Sequence, residues 1–120
     1  MTAIAKSTVV AIDCSEPRLL AEFYSAITGA PVARADEDWV QLGPSAGVTL
    51  AFQLAPDHVP PVWPSVEHPQ QIHLDLDVPD LDAAEAQVLE LGARKHEHQP
   101  GTTFRVFVDP AGHPFCLCQA

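Results

Sequence analysis

Basic residues are scarce: six lysines and arginines stand against sixteen aspartates and glutamates, a net charge of −10. A surface of that sign repels phosphate, which argues against nucleic acid and anionic membrane as partners. Two readings of the charge stay open, one in which it only keeps the protein soluble and one in which it draws in cationic ligands. Long apolar runs are missing too. No stretch of about 18 apolar residues exists, so no membrane-spanning helix is expected. The opening Met1–Lys6 has neither the basic start nor the apolar stretch of a secretory signal. Cysteine is limited to Cys14, Cys116 and Cys118, an odd number without CxxC spacing. That pattern predicts reduced thiols and a cytoplasmic protein. Absent as well are the GxGxxG and GxxxxGK[ST] phosphate loops, the GxSxG nucleophile turn and the HExxH helix.

What is present is a repeat. The chain has 120 residues, 47% of them apolar and 18% charged, which suits one folded domain. Residues 7–13 alternate as a strand. Ser15-Glu16-Pro17 predicts a helix start capped by Ser15, with an apolar stripe of Leu20, Phe23 and Ile27 ending at Gly29. Strands follow at about 31–35, 38–43 and 47–54. The second half replays this order, with a strand at 70–77 and a helix capped by Asp80 whose stripe is Leu81, Ala84, Val88 and Leu91. Strands at about 93–98, 103–109 and 113–119 complete it. Between the halves, residues 55–69 hold five of the twelve prolines, a stiff crossover. The expected architecture is α+β: one domain over 1–120, with module one at 1–54 and module two at 70–120. Two βαβββ units would form a cup-shaped mixed sheet with helices on its outer face.

The residues that carry a family likeness are Glu22-Phe23-Tyr24, the run from His73 to Asp82 (HLDLDVPDLD), and the closing run from Asp109 to Leu117 (DPAGHPFCL). With the doubled βαβββ order they resemble the vicinal oxygen chelate superfamily, which groups glyoxalase I, bleomycin-resistance proteins and extradiol dioxygenases. The likeness is greatest to its short glyoxalase-like proteins. It covers nearly the whole chain and is specific for fold rather than activity. It also implies a homodimer.

Strand parity sorts the faces. With Ile72, Leu74 and Leu76 packed under the helices, Gln71, His73, Asp75 and Asp77 would face the cup. In the first strand Val9, Ala11 and Asp13 take that face, in 47–54 Thr49, Ala51 and Gln53, and in the last strand Pro114, Cys116 and Cys118. Matching Val40 and Leu42 to Val106 and Val108 makes Trp39, Gln41, Arg105 and Phe107 cup candidates. Metal-using members of the superfamily place one ligand on each of four strands. The resemblance carries those places to Val9, to Gln53 or Ala51, to His73 and to Cys116. Val9 cannot bind a metal, and no carboxylate stands at any of the four. No cofactor is therefore expected, and Gln53, His73 and Cys116 are only weak candidates for a divalent ion.

The expected ligand-binding residues are thus Trp39, Gln41, Gln53, Trp63, Gln71, Arg105, Phe107 and Cys116, with His73 and Asp75 available for acid–base chemistry. Plainer roles exist for each: a hydrogen-bonded structural histidine, an inert buried thiol, tryptophans that plug a core. His96-Glu97-His98 is expected at the surface. The leading functional expectation is a protein that binds or sequesters a small neutral or cationic aromatic compound. The rival is a glyoxalase-like lyase or isomerase, or a dioxygenase, using an atypical metal site or the His73/Asp75 pair.

Overall fold

Pro17 sets the start of the first helix. The computed structural model describes residues 3–120, and its helix α1 (Pro17–Thr28) has the proline in the first turn. A residue preceding proline is driven out of helical geometry. The cap therefore falls on Glu16, at φ −135° and ψ 83°, rather than on Ser15, and no side chain caps the end. At the other end Gly29 adopts φ 77° and returns its N–H to the Ser25 carbonyl at 2.9 Å, as a left-handed closing residue does.

The chain divides into two compact units, 1–58 and 59–120. In the first, β1 (Val9–Cys14), β2 (Val32–Ala35), β3 (Trp39–Leu42) and β4 (Thr49–Leu54) form an open sheet in the order β1-β4-β3-β2. Only the β1–β4 pair is parallel. Ile12, Phe52 and Val40 lie side by side across three strands on the face covered by α1. There Tyr24 stacks on Phe52 with ring centroids 5.6 Å apart. Leu20, Ala21, Phe23 and Tyr24 are the buried side of the helix, while the expected Ile27 is half-buried at its end.

The second unit repeats the topology with β5 (Leu74–Val78), α2 (Leu81–Glu90), β6 (Arg94–Lys95), β7 (Phe104–Val108) and β8 (Pro114–Gln119), in the order β5-β8-β7-β6. Asp80 caps α2 as its sequence position requires, accepting from the Ala83 N–H at 3.2 Å. The fold is α+β with two βαβββ modules. Among the described residues no helix is long and apolar enough to cross a membrane.

Two expectations about strand faces need correction. The strand predicted at 70–77 begins only at Leu74, and Ile72 is 63% exposed instead of packed. The β5–β8 ladder starts at Leu74↔Phe115, next to Pro114, which has no N–H for a longer β5. On β7 the faces are the reverse of those expected. Arg105 stands opposite Leu117 and Phe107 opposite Phe115, and directly opposed residues share a face. Both therefore lie on the α2 side. Arg105 bonds Asp82 at 2.9 Å and Glu85 at 3.2 Å, both on α2. Phe107 stacks on Phe115 at 5.7 Å, and both rings are fully buried. Neither lies on the face away from α2, as expected of a cup residue; Phe104 and Val106 do.

Placing Phe107 in the core has a measurable consequence. Phe107→Ala is expected to lower unfolding free energy by about 3–5 kcal/mol in urea titration, the usual loss for a buried phenylalanine. A loss under about 1 kcal/mol would return the ring to the open face of the sheet.

Candidate functional site

The parallel β5–β8 register sets Asp75 beside Cys116, and the antiparallel β7–β8 register sets Val106 beside Cys116 and Phe104 beside Cys118. These side chains occupy the face away from α2. They line a cavity of about 290 Å³ with Pro100, Pro114, Trp63, Gln70 and His73. Every lining residue belongs to the second unit.

Trp63 reaches this cavity because residues 59–63 are drawn onto the second module. Gly112, at φ 91°, lies so near Pro60 that a Cβ there would come within 2.5 Å of the Pro60 Cβ. The turn carrying Gly112 is held by buried Asp109, whose Oδ1 accepts from the N–H groups of Ala111 and His113 at 2.9 and 3.0 Å. The indole then meets the edges of His96 and His98, centroids 5.4 and 5.1 Å away. Those histidines are positioned by Gln99, whose side-chain amide exchanges two hydrogen bonds with the Val106 backbone at 2.8 and 2.9 Å, like an extra rung of sheet. The run 96–98 lies at the surface as expected, with Glu97 and His98 exposed, and its two imidazole rings back the Trp63 indole. Its signal was the run of two histidines before a glutamine, which is too common to single out.

Polar groups gather at one side. His73 Nε2 lies 3.1 Å from Asp75 Oδ1. Burial pushes the Cys116 thiol up to about 12, and the hydrogen-bonded Asp75 carboxylate and the neighbouring Cys118 push the same way. Cys118 is raised too, by burial and then by Asp75 and Asp77. A thiol so placed donates to Asp75 and is a poor nucleophile. Gln70 is half-buried in the wall, and its Oε1 is shut off from solvent with no partner among the described residues.

The cavity thus brings together His73, Asp75, Cys116 and Trp63 from the expected set. Gln71 is exposed and outside it, and Gln70 stands in its place. The parity argument failed there because the chain is not yet a strand before Leu74. Trp39, Gln41 and Gln53 lie in the first unit. They share the sheet face away from α1, where Trp39 is level with Gln53 and its indole N–H donates to Gln41 Oε1 at 3.1 Å.

The superfamily's metal positions can now be tested against the strand registers. Ala11 pairs with Ala51 in the first module as Asp75 pairs with Cys116 in the second, so Ala51, not Gln53, is the counterpart of Cys116. The four places hold Val9, Ala51, His73 and Cys116, of which two are hydrocarbon. That set does not fit a divalent ion needing three or more protein donors. Asp75 does bring a third donor to the second module, with the ligand atoms of His73, Asp75 and Cys116 within 4.8 Å of one another. In this structure Asp75 is the shared partner of the other two, paired with His73 and hydrogen-bonded by the Cys116 thiol.

The thiol assignment is open to chemical test. At pH 8 Cys116 is expected to react with iodoacetamide about 100-fold or more slower than in the unfolded chain, followed by mass spectrometry. Asp75→Asn is expected to speed the reaction in part, since burial, the larger cause, remains. The folded thiol keeps its proton where the unfolded one loses it. Its contribution to stability is therefore complete below about 9 and lost as the pH rises toward 12. Equal alkylation rates in folded and unfolded protein would contradict the assignment.

Comparison with known proteins agrees with this architecture. No curated protein sequence matches the chain. Among solved structures, a glyoxalase family protein from Enterococcus faecalis is 21% identical, with 97% of this chain and 98% of that one covered and a TM-score of 0.70. A glyoxalase/bleomycin resistance protein/dioxygenase family enzyme from Burkholderia phytofirmans is 15% identical, with coverage of 96% and 98% and a TM-score of 0.75. TnmS3, an antibiotic binding protein from a Streptomyces species, is 22% identical over 99% and 98% of the two chains, with a TM-score of 0.63. At these identities the likeness is one of fold. The glyoxalase-like domain family, in contrast, matches the sequence itself over residues 9–118. With the doubled βαβββ topology already in view, that match makes the chain a member of the glyoxalase-like domain family of the vicinal oxygen chelate superfamily.

Proposed function

We propose that the protein binds a small, planar, neutral or cationic aromatic compound in the cavity of its second module, as a binding or sequestering protein that works without the superfamily's divalent ion. The observation that carries this reading is the make-up of the cavity. Trp63, Phe104, Val106, Pro100 and Pro114 offer flat apolar walls, while Asp75 offers one carboxylate at the rim, 59% exposed. Ligand sites commonly combine such walls with a few polar groups, and about 290 Å³ lies at the small end of their range. A cation stacked on the indole gains from the ring's negative face, and the net charge of −10 favours its approach. The TnmS3 fold match gives the reading a precedent in a protein that binds an antibiotic. The metal-free aspect rests on Val9 and Ala51, which have no donor atom to offer.

A bicyclic probe fits the cavity's size, and 4-aminoquinoline, a planar cation at neutral pH, is a suitable one. Its binding is expected to quench tryptophan fluorescence, and Trp63→Phe to remove the larger part of the signal with the fold intact by circular dichroism. Asp75→Asn is expected to weaken binding about two- to fivefold, the worth of a partly solvated ion pair. Added salt should weaken binding to the wild type more than to this variant. An unchanged spectrum at millimolar probe, or a quench that survives Trp63→Phe in full, would overturn the reading.

A further inference from the structure

Gly101 precedes β7 and has no positive φ, so its backbone does not require a glycine. What the position has no room for is a side chain. A Cβ there would stand 2.6 Å from Cζ and 2.7 Å from Cδ1 of Phe104, well inside the roughly 3.5–4.0 Å of a good carbon contact. The Phe104 ring therefore rests directly on the Gly101 backbone. That ring is a wall of the second-module cavity, and Pro100, the residue before Gly101, is another.

Two anchors decide what would give way to a side chain at 101. The loop is tied down by the neighbouring Gln99, whose amide bonds the Val106 backbone twice and also reaches the His96 carbonyl at 2.8 Å. The Phe104 backbone is held opposite Cys118 in the β7–β8 ladder. The ring, free to turn about two side-chain bonds, is the part that moves. Pushed away from the loop before β7, it swings along the strand toward Val106, the next residue on the same face, and so into the cavity.

We infer that Gly101 is a specificity residue of the cavity, and that the ligand class is a planar cation of two fused rings rather than one. This rests on the binding reading above and narrows it. By seating the Phe104 ring on bare backbone, Gly101 keeps open the space that the second ring of the ligand fills. At about 290 Å³ the cavity is at the small end of ligand sites, so the place of one phenyl ring decides what fits. A single-ring cation fits with Phe104 in either place. A bicyclic one fits only with the ring on Gly101.

The probes that test this are 4-aminoquinoline and 4-aminopyridine, which has the same cationic amino-substituted ring without the fused one. By calorimetry the wild type is expected to bind 4-aminoquinoline about tenfold or more tightly, since one buried methylene alone is worth about that. In Gly101→Ala the ratio should fall roughly fivefold or more, as overpacking dictates, with 4-aminopyridine affinity retained. Phe104→Leu removes the ring that would be displaced. In that background Gly101→Ala should leave the ratio where Phe104→Leu alone puts it, an effect that a general loosening of the loop would not give. If Gly101→Ala alone does not fold, the double variant decides: folding with the ratio of Phe104→Leu supports the role, and failure to fold overturns it. Equal affinities in the wild type, an unchanged ratio in folded Gly101→Ala, or an equal fall in both backgrounds would overturn the role of Gly101 while leaving the binding reading in place. Failure of the wild type to bind either cation would overturn the binding reading, and this inference with it.

Discussion

Parallel pairing of β5 with β8, Asp75 beside Cys116, decides what each face of the second module presents. Because side chains alternate, that single register sends Leu74, Leu76, Phe115 and Leu117 one way and Asp75, Cys116 and Cys118 the other. The antiparallel β7–β8 ladder then inherits the choice. Phe107 and Arg105 must follow Phe115 and Leu117 toward α2, and Phe104 and Val106 must follow Cys118 and Cys116 toward the cavity. A slip of one residue would put the Phe107 ring in the open and the Asp75 carboxylate under the helix. The apolar weight of Phe107, Phe115 and Leu117, all fully buried, makes such a slip prohibitive.

The same topology serves different ends in the two modules. In the first, the place matching His73 is Val9 and that matching Cys116 is Ala51, so the outward face there has small or hydrocarbon groups around Trp39, Gln41 and Gln53. In the second, that face holds His73, Asp75, Cys116 and Cys118 around one cavity. Superfamily membership fixes the scaffold, but the chemistry lies in substitutions at a few strand positions. In this chain two of the four places that the resemblance assigns to metal ligands carry Val9 and Ala51, which have no donor atom.

Much of the scaffold was legible because it rests on local signals. Pro17 and Gly29 bracket α1, Asp80 caps α2, and the alternation in 47–54 and 113–119 places Phe52 and Leu117 inside. The Ser15 cap fails for a local reason, the adjacent Pro17, while the errors on the strands depend on partners remote in sequence. Val106 was matched to Val40 by likeness of side chain, whereas the ladder matches Phe107 and Arg105 to Leu42 and Val40 as the buried-side residues. An arginine on that side is hard to foresee without knowing that Asp82 and Glu85 of α2 await it. Strand alternation puts Gln71 on the cup face only if the strand extends back to it, and β5 begins at Leu74. Trp63 could be placed near a ligand only in outline, since its setting depends on Gly112 approaching Pro60 and on His96 and His98 being carried to it by Gln99.

The central claim is that the cavity of the second module, bounded by β5, β7, β8 and Trp63, is where the ligand sits. Methyl NMR on Val- and Leu-labelled protein during titration with 4-aminoquinoline tests this most directly. The Val106 methyls, which line the cavity, should shift strongly under the ring current of the bound aromatic. Those of Leu20, Val40 and Leu42, buried in the first module, and of Val88, buried on α2, should stay in place. Shifts centred on the first module, with Val106 unmoved at saturation, would contradict the account.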